Sequence, residues 1–293
     1  MHVQRLSILG LGLLGGSIAL AVKNRIKDCK IIAYAHRRET LNAARELGAI
    51  DEGYDQPQAA VRGAELVILC TPVSMISPLL EQIGPVLEDG AVATDVGSTK
   101  RSIVAAGEKA CSSRGHFVGS HPMAGSEKRG IRHARADLFE GAVCMTTPTE
   151  RTDPAALGKV EKFWETLGMR VRRISPEDHD RLLADVSHLP HAVAAALVSM
   201  QDPEALGLCG KGFLDMTRIA GGEAGLWRDI LLDNRDNVRM GIQKLIQMLG
   251  GLNGLLEPDR ADELSRWLDA AAQQRQRLSS EVISNREGFT PSP

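Results

Sequence analysis

Three patterns are missing from this sequence, and each absence removes a class of function. Its five cysteines (Cys29, Cys70, Cys111, Cys144 and Cys209) are odd in number, scattered and never spaced C-x-x-C, so neither a disulfide framework nor a zinc site is indicated. A reducing cytoplasm is the expected setting. Neither sign of charge dominates: 35 Lys and Arg stand against 37 Asp and Glu, without a basic run. Such a surface does not draw the chain to nucleic acid or to an anionic membrane, so neither is expected as a partner. Small-molecule chemistry is the better starting point. The first apolar stretch is broken by Gly10, Gly12, Gly15 and Gly16 and followed at once by Lys23, Asn24 and Arg25, unlike a cleavable signal or a membrane span.

What is present is ordinary apolar content, 43% of 293 residues, enough for two domains with their own cores. Residues 5–9 read as a strand that runs into Gly10-Leu11-Gly12-Leu13-Leu14-Gly15 and then into a helix. This is G-x-G-x-x-G in strand, turn, helix context, the setting in which it signals dinucleotide binding. Gly10 permits the turn, Gly12 admits a pyrophosphate to the backbone, and Gly15 lets helix and strand approach. The helix N-terminus supplies a partial positive charge. Gly10, Gly12, Leu13, Leu14 and Gly15 are therefore expected to bind cofactor, with Thr71 at the end of a second apolar strand over residues 65–70. The strand over residues 30–34 ends in Ala35-His36-Arg37-Arg38, where an NAD-selective fold would carry an acid for the ribose hydroxyls. Arg37 and Arg38 suit a 2′-phosphate, which favours NADP with NAD as the alternative; exposed charges at a helix start are the bland reading.

Strand and helix continue to alternate to residue 174. Ser98, after a strand over residues 91–96, is expected near the N-cap of a helix over residues 100–111, at the strand end where open α/β sheets bind ligands. His121 follows residues 117–120 in Gly119-Ser120-His121-Pro122-Met123, which reads as a strand opening into a loop. An imidazole there can take a proton from a hydroxyl, as a dehydrogenase requires. From residue 175 the β signal ends and the pattern becomes helical. A helix over residues 177–200 carries Ser187, His188 and His191, with a kink expected at Pro190. It has no H-E-x-x-H and no obvious third ligand, so no metal is expected. Arg218 stands beside Gly221-Gly222 and is the side chain best suited to gripping a carboxylate. Helices over residues 227–256 and 259–278 carry apolar stripes that suit a core or a homodimer interface. The expected fold is α/β: a Rossmann-type doubly wound sheet over residues 1–174, followed by an all-helical dimerisation domain over residues 175–293.

Taken together, the glycine turn, Asp95 to Lys100 (DVGSTK), Gly119 to Gly130 (GSHPMAGSEKRG), Ser187 to His191 (SHLPH) and Asp215 to Arg218 (DMTR) resemble the prephenate/arogenate dehydrogenase family of tyrosine biosynthesis. The resemblance runs through nearly the whole chain, and it implies an NAD(P)-dependent oxidative decarboxylation of a cyclohexadienol. It also implies roles. His121 accepts the hydroxyl proton and Ser98 orients it; Arg218 binds the ring carboxylate; His191, Ser187 and His188 line the pocket; Glu127 gates or orders it; Trp227 shapes its wall. Glu223, in the glycine loop, is a candidate partner for the amine of arogenate. The chain resembles the single-activity form, with neither a fused mutase nor a regulatory domain expected. Two other readings stand beside this one. A β-hydroxyacid dehydrogenase would use Lys211 between Gly210 and Gly212, and a non-catalytic dinucleotide sensor would need none of His121, Ser98 and Arg218.

Overall fold

The computed structural model describes residues 1–125 and 128–287. Eight strands form one sheet: β1 (Arg5–Leu9), β2 (Lys30–Tyr34), β3 (Glu52–Tyr54), β4 (Leu66–Leu69), β5 (Val92–Asp95), β6 (His116–Pro122), β7 (Val143–Thr147) and β8 (Arg170–Arg173). Their order is β3-β2-β1-β4-β5-β6-β7-β8, and every neighbour is parallel except β7, which runs antiparallel to β6. The sequence order reverses between β1 and β4. There the connections leave the sheet on opposite faces and open a crevice at the strand ends.

The sheet is wound on both faces because its central strands are apolar throughout. All four residues of β4, Leu66-Val67-Ile68-Leu69, are buried. Leu66 and Ile68 join Leu6, Ile8 and Ile31 on one face, whereas Val67 and Leu69 join Leu9 and Ile32 on the other. The first face is covered by α1 (Leu13–Arg25), α2 (Arg38–Glu46) and, reached later in the chain, the helix Pro154–Thr166, through Ile18, Leu41 and Trp164. The opposite face is covered by α3 (Pro57–Val61), α4 (Val73–Ile83) and α5 (Arg101–Cys111), through Val61, Ile76, Leu80 and Ile103. Each such side chain contributes about 1.5–3 kcal/mol when fully buried. The short pair β3 and α3 has no apolar periodicity of its own and is not legible in the sequence; β3 is held by its register on β2, Ile32 against Glu52.

After Pro154–Thr166, here α6, come α7 (Pro176–Leu183), a π-helical turn (Ala184–His188) and α8 (Leu189–Ser199). The single kinked helix expected over residues 177–200 is therefore replaced by two helices joined through a π turn. Pro190 sits in the first turn of α8, where its missing N–H costs little. Next are α9 (Pro203–Gly207), α10 (Lys211–Thr217), a 3₁₀ turn (Arg218–Gly221), α11 (Ala224–Asp233) and α12 (Arg235–Asn253). The long helix expected from residue 227 to 256 is broken at Asn234, which is fully buried and side-chain bonded to Arg101, Asp180, His188 and Asn237. The chain divides into two compact units, Met1–Asn237 and Val238–Pro293. The second holds most of α12 and α13 (Ala261–Glu287), with Met240, Ile246 and Leu249 exposed on α12.

Candidate active site

The turn after β1 separates three glycines by what each one meets. Gly10 has φ +107°, and a β-carbon there would stand 2.7 Å from the Cys70 carbonyl oxygen. A β-carbon on Gly15 would strike the Gly10 carbonyl oxygen. At Gly12 nothing lies within 4 Å. Gly12 is also the N-cap of α1 and offers that helix no side-chain cap, so the first amides of the helix face an open backbone. Beside it, the Thr71 hydroxyl is buried without a hydrogen-bond partner among the described residues. An open glycine, an uncapped helix start and an orphaned hydroxyl fit a dinucleotide pyrophosphate. At the end of β2, Ala35 is buried, while His36, Arg37 and Arg38 are exposed and Arg37 Nε donates to His36 Nε2 at 3.3 Å.

A cleft of about 750 Å³ opens at the reversal point. Gly12, Leu13, Leu14, Thr71, Ser98, Arg218, Glu223 and Trp227 are all among the residues that line it. Ser98 is not a helix cap, as its position suggested. The α5 helix begins one residue later than expected, and its N-terminus is capped by Asp180, whose carboxylate accepts the amides of Lys100 at 2.7 Å and Arg101 at 3.0 Å. Ser98 is thereby left with its side chain at the cleft wall. Glu223 does cap a helix: its carboxylate accepts the Leu226 amide of α11 at 3.2 Å.

His121 stands in β6 rather than in a loop, with Met145 of β7 as its register partner. The residue before it is pinned hard. Ser120 accepts from Lys100 Nζ through its carbonyl at 2.9 Å, donates its amide to Asp95 at 3.1 Å, and receives the Trp164 indole on its hydroxyl at 3.1 Å. Lys100 and Asp95 form a fully buried ion pair beneath it. The antiparallel partner β7 is what extends the strand through Pro122, an arrangement that no local signal in the sequence announces. His121 is buried, and its Nδ1 lies 2.9 Å from Nε2 of His179. His179 Nδ1 in turn lies 2.8 Å from the Asp180 carboxylate. Burial, followed by the neighbouring His179, Lys100 and His188, pushes the His121 imidazole well below its usual range, so it stands neutral near pH 7.

The other two histidines meet at Trp227. The His191 ring stacks on the indole with centroids 3.5 Å apart and planes at 9°, and His188 approaches it edge-on at 6.4 Å. A β-carbon on Gly222 would collide with both Trp227 and His191, so the stack requires the glycine. His191 Nδ1 is buried without a partner among the described residues, while His188 Nδ1 lies 3.1 Å from the Asn234 amide. Burial pushes His188 down to about 4. Ser187 is half-buried on the π turn. His121, His188, His191 and Ser187 are not among the residues lining the cleft itself. Glu127 lies outside the described residues. His179, Asp180 and Asn234 carry no motif, and only the His-Asp adjacency at residues 179–180 could have drawn attention to two of them.

A glycine turn at the reversal point of a doubly wound sheet, with an open helix start and an orphaned hydroxyl beside it, points to the class: a Rossmann-type, nicotinamide-dependent dehydrogenase. The particular family follows from comparison with known proteins. Residues 18–173 match the family described as "Prephenate dehydrogenase, nucleotide-binding domain", and residues 175–270 match "Prephenate dehydrogenase, dimerization domain". The chain belongs to the prephenate dehydrogenase family. It is 36% identical to the prephenate dehydrogenase of Bacillus subtilis over 92% of this chain and 75% of that protein. It is 34% identical to the cyclohexadienyl dehydrogenase of Zymomonas mobilis, covering 79% and 81%. The crystal structure of Aquifex aeolicus prephenate dehydrogenase with hydroxyphenyl propionate and NAD+ is similar at 35% identity and TM-score 0.89, covering 95% and 99% of the two chains. Synechocystis arogenate dehydrogenase superposes with TM-score 0.82 at 32% identity, covering 94% and 99%.

Proposed function

We propose that this protein catalyses the oxidative decarboxylation of prephenate, arogenate or both, in tyrosine biosynthesis. The observation that carries the reading is the cleft, where the glycine turn, Ser98 and Arg218 share one cavity. Gly12, the first amides of α1 and Thr71 would hold a nicotinamide dinucleotide, which when bound would supply the hydride acceptor for the ring carbinol carbon. His121 takes the hydroxyl proton and Ser98 orients that hydroxyl. Arg218 holds the ring carboxylate, which leaves as CO2 when the ring becomes aromatic. His191, His188 and Ser187 complete the substrate side, with Trp227 as the wall, and Glu223 is the group positioned to attract an amine. Glu127 belongs to this reading by sequence alone. Assays of prephenate and arogenate, each with NAD+ and NADP+, test the reading; failure to turn over either substrate with either cofactor refutes it.

NADP+ is the cofactor we propose, with NAD+ as the alternative, the one bound in the Aquifex structure. Support comes from exposed Arg37 and Arg38 beside a position, Ala35, that bears no acid. Two charge-assisted hydrogen bonds favour the 2′-phosphate by roughly 2–3 kcal/mol, about 30- to 150-fold in kcat/KM. Ala35→Asp combined with Arg37→Ala is expected to reverse the ratio. A preference that survives the double change, or equal use of both cofactors by the parent enzyme, places the selection elsewhere.

We also propose a homodimer formed by a helical substrate and dimerisation domain over residues 175–293. The match to the family's dimerization domain and the exposed apolar side chains of α12 support it. Light scattering at micromolar concentration is expected to give twice the chain mass; a fully active monomer contradicts it.

A further inference from the structure

We propose that Asp180 dictates, through one hydrogen-bond chain, which nitrogen carries the hydrogen on each of His121, His179 and His188. The inference rests on reading His121 as the proton acceptor only for its kinetic consequence. The chain itself stands on geometry.

Asp180 is almost completely buried, and its carboxylate accepts from Lys100 N at 2.7 Å, Arg101 N at 3.0 Å, Arg101 Nε at 3.4 Å and His179 at 2.8 Å. Burial opposes its ionisation, but the hydrogen bonds from His179 and the two amides outweigh that, and the carboxyl is held below its usual range. A carboxylate can only accept, so the hydrogen between it and His179 sits on His179 Nδ1. Burial, the largest influence on the His179 imidazole, keeps it neutral, which leaves Nε2 bare. Two bare nitrogens would repel at 2.9 Å, so the hydrogen between the rings belongs to His121 Nδ1. His121 Nε2 is then a free lone pair, the form that can take a proton from a hydroxyl. Without this chain the opposite tautomer becomes accessible, and it has no base to offer.

The second branch leaves through the backbone of the same residue. Asn234 donates to the Asp180 carbonyl at 2.7 Å, and its Oδ1 accepts from Asn237 at 2.8 Å, which fixes the amide against a flip. Its Nδ2 therefore faces His188 Nδ1 as a donor at 3.1 Å, so His188 carries its hydrogen on Nε2. Asp180, His179 and Asn234 are positioning residues on this account. They link the N-terminus of α5 to the histidines without touching substrate.

Imidazole 15N shifts of histidine-labelled protein read the tautomers directly, without turnover. The expected pattern in the parent protein is a bare Nε2 on His121 and His179 and a bare Nδ1 on His188; a bare Nδ1 on His121 overturns the proposal. Because Asp180→Asn also removes the cap of α5, the kinetic test uses His179. His179→Gln keeps an oxygen acceptor where Nε2 stood and is expected to retain both the His121 tautomer and kcat within about tenfold, whereas His179→Leu loses the tautomer preference and drops kcat by on the order of 10²-fold. Dinucleotide affinity stays unchanged in both variants. Equal kcat values for the two variants, with the tautomer retained in both, overturn the chain. A tautomer lost in His179→Leu with kcat intact would uphold the chain and instead sink the assignment of His121 as base.

Discussion

His121→Asn is expected to lower kcat by at least about 10²-fold while leaving dinucleotide affinity nearly unchanged, because it removes the proposed proton acceptor and His121 is not among the residues that line the cleft with the glycine turn. Stopped-flow hydride transfer and fluorescence titration of cofactor separate the two effects. Wild-type turnover in the variant would remove the assignment. The same residue sets a pH dependence whose sign follows from its surroundings. Burial and nearby His179, Lys100 and His188 disfavour the imidazolium, so the working neutral form persists below the ordinary histidine range. Activity limited by this group is therefore fully present at neutral pH and is lost only as pH falls through its depressed pKa. The acid limb of kcat/KM should lie below pH 6.5, the ordinary histidine value. A limb centred at or above that value would mean that His121 is solvated or that another group titrates.

Arg218→Ala is expected to raise the apparent KM for prephenate or arogenate by roughly 30- to 1000-fold, corresponding to a lost charge-assisted carboxylate contact of about 2–4 kcal/mol. Arg218 opens the 3₁₀ turn after α10, lines the cleft, and is followed within four residues by Gly222, whose missing β-carbon admits the Trp227 and His191 stack. The cofactor KM should move little, since the pyrophosphate is expected at the glycine turn after β1 and Arg218 belongs to the 3₁₀ turn after α10. Arg218→Lys retains charge but loses the planar fork, and an intermediate KM is expected from it. An unchanged KM in Arg218→Ala would show that the guanidinium serves the surface alone.

The parts of this site that could be read from sequence are those encoded locally. A strand, a glycine turn and a helix are contiguous, so Gly10, Gly12 and Gly15 announce their own geometry, and β4 announces its burial by four consecutive apolar residues. What escaped is long-range. Asp180 caps a helix that begins 79 residues earlier, and nothing near position 98 signals that Ser98 is relieved of capping. The extension of β6 through His121 depends on β7, which runs the other way. Asn234 ends a helix where its side chain is claimed by Asp180 and His188, residues distant in sequence, and the polar run Asp233 to Asn237 around it does not say which of its members turns inward.

The three glycines after β1 also divide by what requires them. Gly10 and Gly15 are crowded by the protein's own backbone, so any descendant of this chain that folds must keep them small. Gly12 is crowded by nothing that the chain itself provides. Selection for a folded protein would hold the outer two and release the middle one, and selection for chemistry would hold all three. A lineage that kept this fold after abandoning its cofactor is therefore expected to record the loss first at position 12, while its stability gave no sign of the change.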